Sequence, residues 1–131
     1  MANDIFPPDY ESDVGRVRML IADTEQHDYD QDNTLRYRLP DGQIEAYLEM
    51  AGGKLFAAAA SALFGIATNE ALISKVIKTE DLQTDGAKLS DALRLMARDM
   101  LNRQNAEDEK AAQADAFVYV PMRYPYNNPD W

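Results

Sequence analysis

At 131 residues and 14.7 kDa, with 46% apolar side chains, the chain has material for one domain with a core of its own. It contains no cysteine, which excludes a disulfide framework and any thiolate-based metal site or nucleophile. A net charge of -10, from 13 basic and 23 acidic side chains, sets an acidic surface against duplex phosphate and disfavours ordinary nucleic-acid binding by counterion release.

The opening MANDIFPPDYESD carries no basic stretch leading into an apolar one, so export by a signal peptide of that kind is not expected. No uncharged run reaches the roughly 18 residues of a membrane span. In DVGRVRMLIAD, Val14, Val17, Leu20 and Ile21 share one helical face and Ser12 is placed to cap it, which predicts a first helix of about three turns. TEQHDYDQDNTLRYR follows without apolar period and reads as a long surface loop carrying Asp28, Asp30 and Asp32. LPDGQIEAYLEMAGG predicts a short second helix, with Leu39 stapled to Ile44 and Gly52-Gly53 as its left-handed stop. Pro40 stands where a capping serine or threonine is expected, which leaves Asp41 to help satisfy the first amides.

KLFAAAASALFGIATNEALISKVI keeps an apolar stripe through Leu55, Phe56, Ala59, Leu63, Ile66, Ala67 and Ile73, and its alanines let neighbours approach closely. It is expected to be the central, most buried helix, with Gly65 marking a close contact or a slight bend. In KVIKTEDLQTDG, Val76 and Ile77 could end that helix or begin an extended link, and Thr79, Leu82 and Thr84 favour the link, closed by a turn at Asp85-Gly86. From Ala87 the helical period returns in Leu89, Leu93, Met96 and Met100, a narrow stripe suited to another helix, and helix formers continue past Leu101 as a solvated rod. The expected fold class is all-α: a small bundle of about four helices over residues 12–113, with an extended N-terminal arm (1–11) and a C-terminal arm (114–131).

None of the chemical motifs survives inspection. His27 has no positioned partner for acid-base work and reads as a loop residue. DYDQDN imitates the start of a calcium loop, but Asn33 takes the place of the turn glycine and Leu39 that of the bidentate glutamate. Gly52-Gly53-Lys54 lacks the first glycine and the hydroxyl of a phosphate loop, since Leu48 and Leu55 occupy those positions. No enzymatic activity, catalytic residue, metal or cofactor is predicted.

The last fifteen residues, FVYVPMRYPYNNPDW, ask for more than folding does. Pro121, Pro125 and Pro129 block helix, while Phe117, Tyr119, Arg123, Tyr124, Tyr126 and Trp131 are of the types enriched at interface hot spots. A docking arm is expected there, in place of a cover for the chain's own bundle. Ile5, Phe6, Pro7 and Pro8 repeat the style at the other end.

VGRVRMLIADT, YRLPDGQIEAYLEMAGG and KLFAAAASALFGIATNEALISKVIKTEDLQTDGAKLSDALRLMARDMLNRQNAEDE together resemble the head-tail connector (adaptor) proteins of long-tailed bacteriophages and prophages, over about residues 12–110. The cap at Pro40 and the acidic loop depart from that pattern. The resemblance implies a helical subunit made in the bacterial cytoplasm and resident in the virion neck. There about a dozen copies form a closed ring beneath the portal, enclosing DNA without specifically binding it. The implied partners are the portal protein, neighbouring copies and a stopper or tail-completion protein, with no membrane. Asp28, Asp30 and Asp32 would then face the channel or a ring neighbour. The alternative is an acidic phage-encoded inhibitor or DNA mimic, against which stands the interleaving of Arg94, Arg98 and Arg103 with Asp91, Asp99 and Glu107.

Overall fold

The computed structural model describes residues 4–79 and 85–119. Helix α1 (Asp13–Leu20) starts where Ser12 Oγ accepts the Gly15 amide at 3.0 Å, as the sequence predicts. It ends a turn earlier than expected. Ala22 takes a left-handed φ of 58°, with its amide on the Met19 carbonyl and the Asp23 amide on the Arg18 carbonyl. That hydrogen-bond pair is a Schellman stop built on alanine in place of glycine, and so leaves no glycine in the sequence to announce it.

Helix α2 (Asp41–Met50) ends on the same pair of bonds, this time with Gly52 at φ 65° and Gly53 at 81°. Its start differs from expectation. Asp41 does not cap its own helix; the Asp41 amide donates to Asp4 Oδ1, from a residue 37 positions away. Leu39 and Ile44 are both fully buried in one cluster, the predicted staple.

The expected long central helix is two helices. Helix α3 (Leu55–Thr68) and helix α4 (Glu70–Thr79) meet at 94° across Asn69. Asn69 leaves the helical region, and its side-chain oxygen takes the amides of Ala71 and Leu72 at 3.0 and 3.2 Å, capping α4. Thr68 Oγ1 turns back onto the Phe64 and Gly65 carbonyls and helps close α3. Residues 75–79 are therefore helical, correcting the expected extended link; Leu82 and Thr84 lie outside the described residues. Gly65 does mark a close contact, because a Cβ there would stand 2.5 Å from the Tyr47 hydroxyl.

Helix α5 (Gly86–Tyr119) is one rod of 34 residues, about 51 Å long at 1.5 Å per residue. Asp85 Oδ1 caps it through the Lys88 amide at 2.8 Å. It runs antiparallel to α3, as three ties along the joint show: Ser90 Oγ donates to the Ala67 carbonyl, the Ala57 amide to Gln104 Oε1, and Lys54 Nζ to Asp108 Oδ2. Ala58, Ala59, Ala60, Ala62 and Ala97 are buried at or near zero exposure, so the helices approach as closely as alanine allows. The buried stripe of α5 includes Ala97 and Met100, while Met96 sits at its rim and is 41% exposed.

The described residues thus form an all-α bundle of five helices, with α3 at its centre flanked by α1, α2, α4 and α5. Among them no single helix is long and apolar enough to cross a membrane.

Candidate functional site

The acidic loop is more ordered than its polarity suggests. His27 and Arg36 exchange both backbone hydrogen bonds, at 2.8 and 2.9 Å, and pinch the loop at its neck. Asp28 then accepts the Asp32 and Asn33 amides, and Asp32 accepts the Thr34 amide. Gln31 and Asn33 adopt left-handed φ of 57° and 63°. Arg36 reaches across the mouth to Asp32 at 2.7 Å and Asp30 at 3.3 Å. Three carboxylates are thereby committed to the loop's own amides and one guanidinium, an arrangement that presents a folded knob instead of a free anionic face. His27 packs its ring beside Tyr29, with centroids 5.6 Å apart. Among the described residues no group of three acidic or histidine side chains is placed to hold a metal ion.

The hydrogen bond from Arg36 is the largest influence on Asp32 and brings its pKa down to about 2. A depressed carboxylate stabilises the fold above the ordinary aspartate range near 4, and that contribution is lost as pH falls through about 2. In carboxyl-carbon NMR titrations Asp32 is expected to titrate near 2 in the native chain and to return to the ordinary aspartate range in Arg36→Ala. An Asp32 that titrates normally in both proteins would show that Arg36 does not close the loop in solution.

The feature that sequence reasoning missed is a buried ionic cluster at the corner of α1 and α2. Arg18 is 1% exposed, and its Nη1 donates to Asp23 at 3.0 Å. Its Nε and Nη2 both donate to Asp41 Oδ1. The guanidinium carbon lies over the Tyr37 ring, 3.5 Å from its centre. Asp23 also takes the amides of Arg38 and Leu39 at 3.0 Å each, so every buried charge here is hydrogen-bonded. In the sequence Arg18 shares a short segment with Arg16 and looks like one of two surface arginines; no periodicity distinguishes them.

That cluster also holds the N-terminal segment. Asp41 Oδ2 accepts the Ile5 amide at 3.1 Å, the Tyr37 hydroxyl donates to the Ile5 carbonyl, and Asp4 occupies the α2 N-terminus. Burial pushes the Tyr37 hydroxyl pKa up, which keeps it a donor. The Asp9 carbonyl packs so tightly on α1 that a Cβ at Gly15 would lie 1.9 Å from it, making glycine obligatory at that point. Residues 4–12 are therefore a strap tied to the bundle. A cavity of about 130 Å³ lies beneath it, with Arg18, Asp41 and Glu45 among its walls.

At the other end, the packed part of α5 closes with Lys54, Gln104 and Asp108. The Lys54 ammonium, with help from Gln104, holds the Asp108 carboxyl below its usual range. Residues 109–114 are all exposed, so the helix leaves the bundle there. Of the residues predicted to dock, Phe117 and Tyr119 fall on the last turn of α5, which reaches into the region read as an arm. Arg123, Tyr124, Tyr126 and Trp131 lie outside the described residues. The Gly52-Gly53-Lys54 run is the stop of α2 and the cap position of α3, as the motif reading held. No protein-family model, curated protein or solved structure matches this chain significantly.

Proposed function

We propose that the chain is a structural subunit of a phage neck, one of about a dozen copies in a closed ring between portal and tail, extending the DNA channel. The observation that carries this reading is the course of α5. It is tied to α3 as far as Asp108, and residues 109–114 continue as exposed helix, with the aromatic and proline-rich stretch following in the sequence. A subunit that grips a neighbouring ring has use for an exposed helix that leads, in the sequence, into residue types enriched at interface hot spots.

The resemblance over residues 12–110 and the all-helical bundle support the same conclusion. The net charge of -10 suits a wall along which DNA slides without being held. The acidic-inhibitor reading draws less support, because a DNA mimic needs an open file of carboxylates. Here Asp30 and Asp32 are closed by Arg36, while Asp91 and Asp99 are paired with Arg94 and Arg103.

The test is to mix the protein with purified portal rings from the same genome and weigh the complex by native mass spectrometry. The intact chain is expected to saturate the ring at about a dozen copies. The chain lacking residues 117–131 is expected to lose that complex. Failure of the intact chain to bind would remove the portal-contacting role, and undiminished binding by the truncated chain would remove the docking arm.

A further inference from the structure

The two groups that hold the N-terminal strap are themselves members of the buried ionic cluster. Asp41 accepts Arg18 on Oδ1 and the Ile5 amide on Oδ2. Tyr37 lies with its ring against the Arg18 guanidinium, while its hydroxyl donates to the Ile5 carbonyl and the same ring meets Phe6, with centroids 6.1 Å apart. A third tie runs the other way, from the Asp41 amide at the start of α2 to Asp4 Oδ1. Strap and cluster share their anchoring groups, so neither rearranges without the other.

One end of the strap is built onto α1. The Asp9 carbonyl accepts both the amide and the hydroxyl of Ser12, Asp9 Oδ1 takes the Glu11 amide, and Arg16 Nε donates to the Tyr10 carbonyl. With Gly15 fitted against the Asp9 main chain, residues 9–12 are a fixed turn that carries residues 4–8 as an arm. That arm has little apolar packing. Among residues 4–8 Pro8 alone is buried, and Ile5 and Phe6 keep 60% and 55% of their surface in water although they rest on the corner. The cavity of about 130 Å³ separates Ile5 and Pro8 from Val14, Arg18 and Asp41, so the inner face of the arm lacks part of the contact that close packing gives. The centre of the bundle is the opposite case, with Ala58, Ala59, Ala62 and Leu63 of α3 at zero exposure. Segments with few buried apolar contacts lie at the low end of local stability, while packed core helices open only with the whole fold.

We infer that residues 4–8 are a latch: they open as one unit about the turn at Asp9 while the five helices stay folded, and opening admits water to the cluster of Arg18, Asp23 and Asp41. Closed, the latch supplies Asp4 to the α2 N-terminus, satisfies the second oxygen of Asp41, and keeps the ion pairs in surroundings of low dielectric that strengthen them. Open, it leaves the Asp41 amide without its acceptor and uncovers Arg18. Asp41 and Tyr37 thus transmit any displacement of the N-terminal segment to the packing of α1 on α2. The device stands independently of the ring reading.

Native-state hydrogen exchange by NMR on the full chain tests it, in conditions where the rate reports the opening equilibrium. The Ile5 and Asp41 amides and the Arg18 Nε hydrogen are expected to share one opening constant, at least about 100-fold larger than that of the Leu63 and Ile66 amides in α3. Tyr37→Phe keeps the ring and removes the bond to the Ile5 carbonyl. It is expected to raise exchange of all three hydrogens by one common factor of about three to ten, the effect of a single net hydrogen bond, with α3 protection unchanged. Asp4→Ala, which removes neither bond of Ile5, is expected to speed the Ile5 amide and the Arg18 Nε hydrogen as well as the Asp41 amide. Acceleration confined to the hydrogen beside each substitution overturns the latch as a unit. Ile5 and Asp41 amides as protected as those of α3 overturn it as a separately opening element. An Arg18 Nε hydrogen that keeps the protection of α3 while both amides open overturns the admission of water to the cluster.

Discussion

Arg18→Met is expected to lower the unfolding free energy by about 3–5 kcal/mol, the effect of removing one partner from a buried ion pair. The change keeps an unbranched side chain of similar reach but withdraws the positive charge between Asp23 and Asp41. Asp23 keeps its bonds from the Arg38 and Leu39 amides, yet its charge is left without compensation at 2% exposure. The cation–ring contact of the guanidinium with Tyr37 goes as well. A loss of that size is a large part of the roughly 5–15 kcal/mol that holds a domain of this kind together. Urea denaturation with an unchanged slope measures it. Arg18→Met/Asp41→Asn should cost less than the two single losses added, because the second change removes a charge that the first has orphaned. A single-variant loss below about 1 kcal/mol would place Arg18 among ordinary surface ion pairs and refute the cluster.

Ala97→Leu is expected to cost about 1–3 kcal/mol by overpacking the α3/α5 joint. Ala97 has no exposed surface and faces a helix whose buried positions are themselves largely alanine. Extra methylenes there can be accommodated only by moving the helices apart along the contact fixed by Ser90, Gln104 and Asp108. Leu95→Ala, two positions away and 64% exposed, should by contrast stay within about 0.5 kcal/mol. Thermal melts of the two variants side by side check the pair. Equal small effects would mean that the close helix approach is not what organises the bundle.

Local signals succeeded wherever a residue type does one job at a helix end. Ser12 caps α1 and Gly52-Gly53 stops α2, both foreseen from the chain alone, and Gly65 marks a close contact, one of its two expected roles, with Tyr47 as a partner the chain did not name. The same kind of signal was present but outweighed at Asn69. An asparagine that caps through its side chain sits inside an otherwise unbroken apolar stripe, and the stripe argues for one helix where the cap makes two. At Ala22 there was no signal to read, since the left-handed stop is imposed on alanine while Asp23 is drawn into the buried cluster. The loop carboxylates were visible as residues; that Arg36 would close over them was not, because the pinch at His27 and Arg36 decides it.

By itself the sequence determined the fold class, the helix-rich composition of the bundle, the acidic balance and the absence of thiol chemistry, because periodicity, composition and charge are properties of neighbouring residues summed along a chain. The tertiary structure alone decided which arginine is buried, what caps α2, where the long apolar stretch bends, and that the backbone at Ile5 is clamped by Asp41 and Tyr37. Each of these depends on groups far apart in sequence. Asp4 and Asp41 are separated by 37 positions and Lys54 and Asp108 by 54, and the free energy of such pairs exists only once the helices between them have packed.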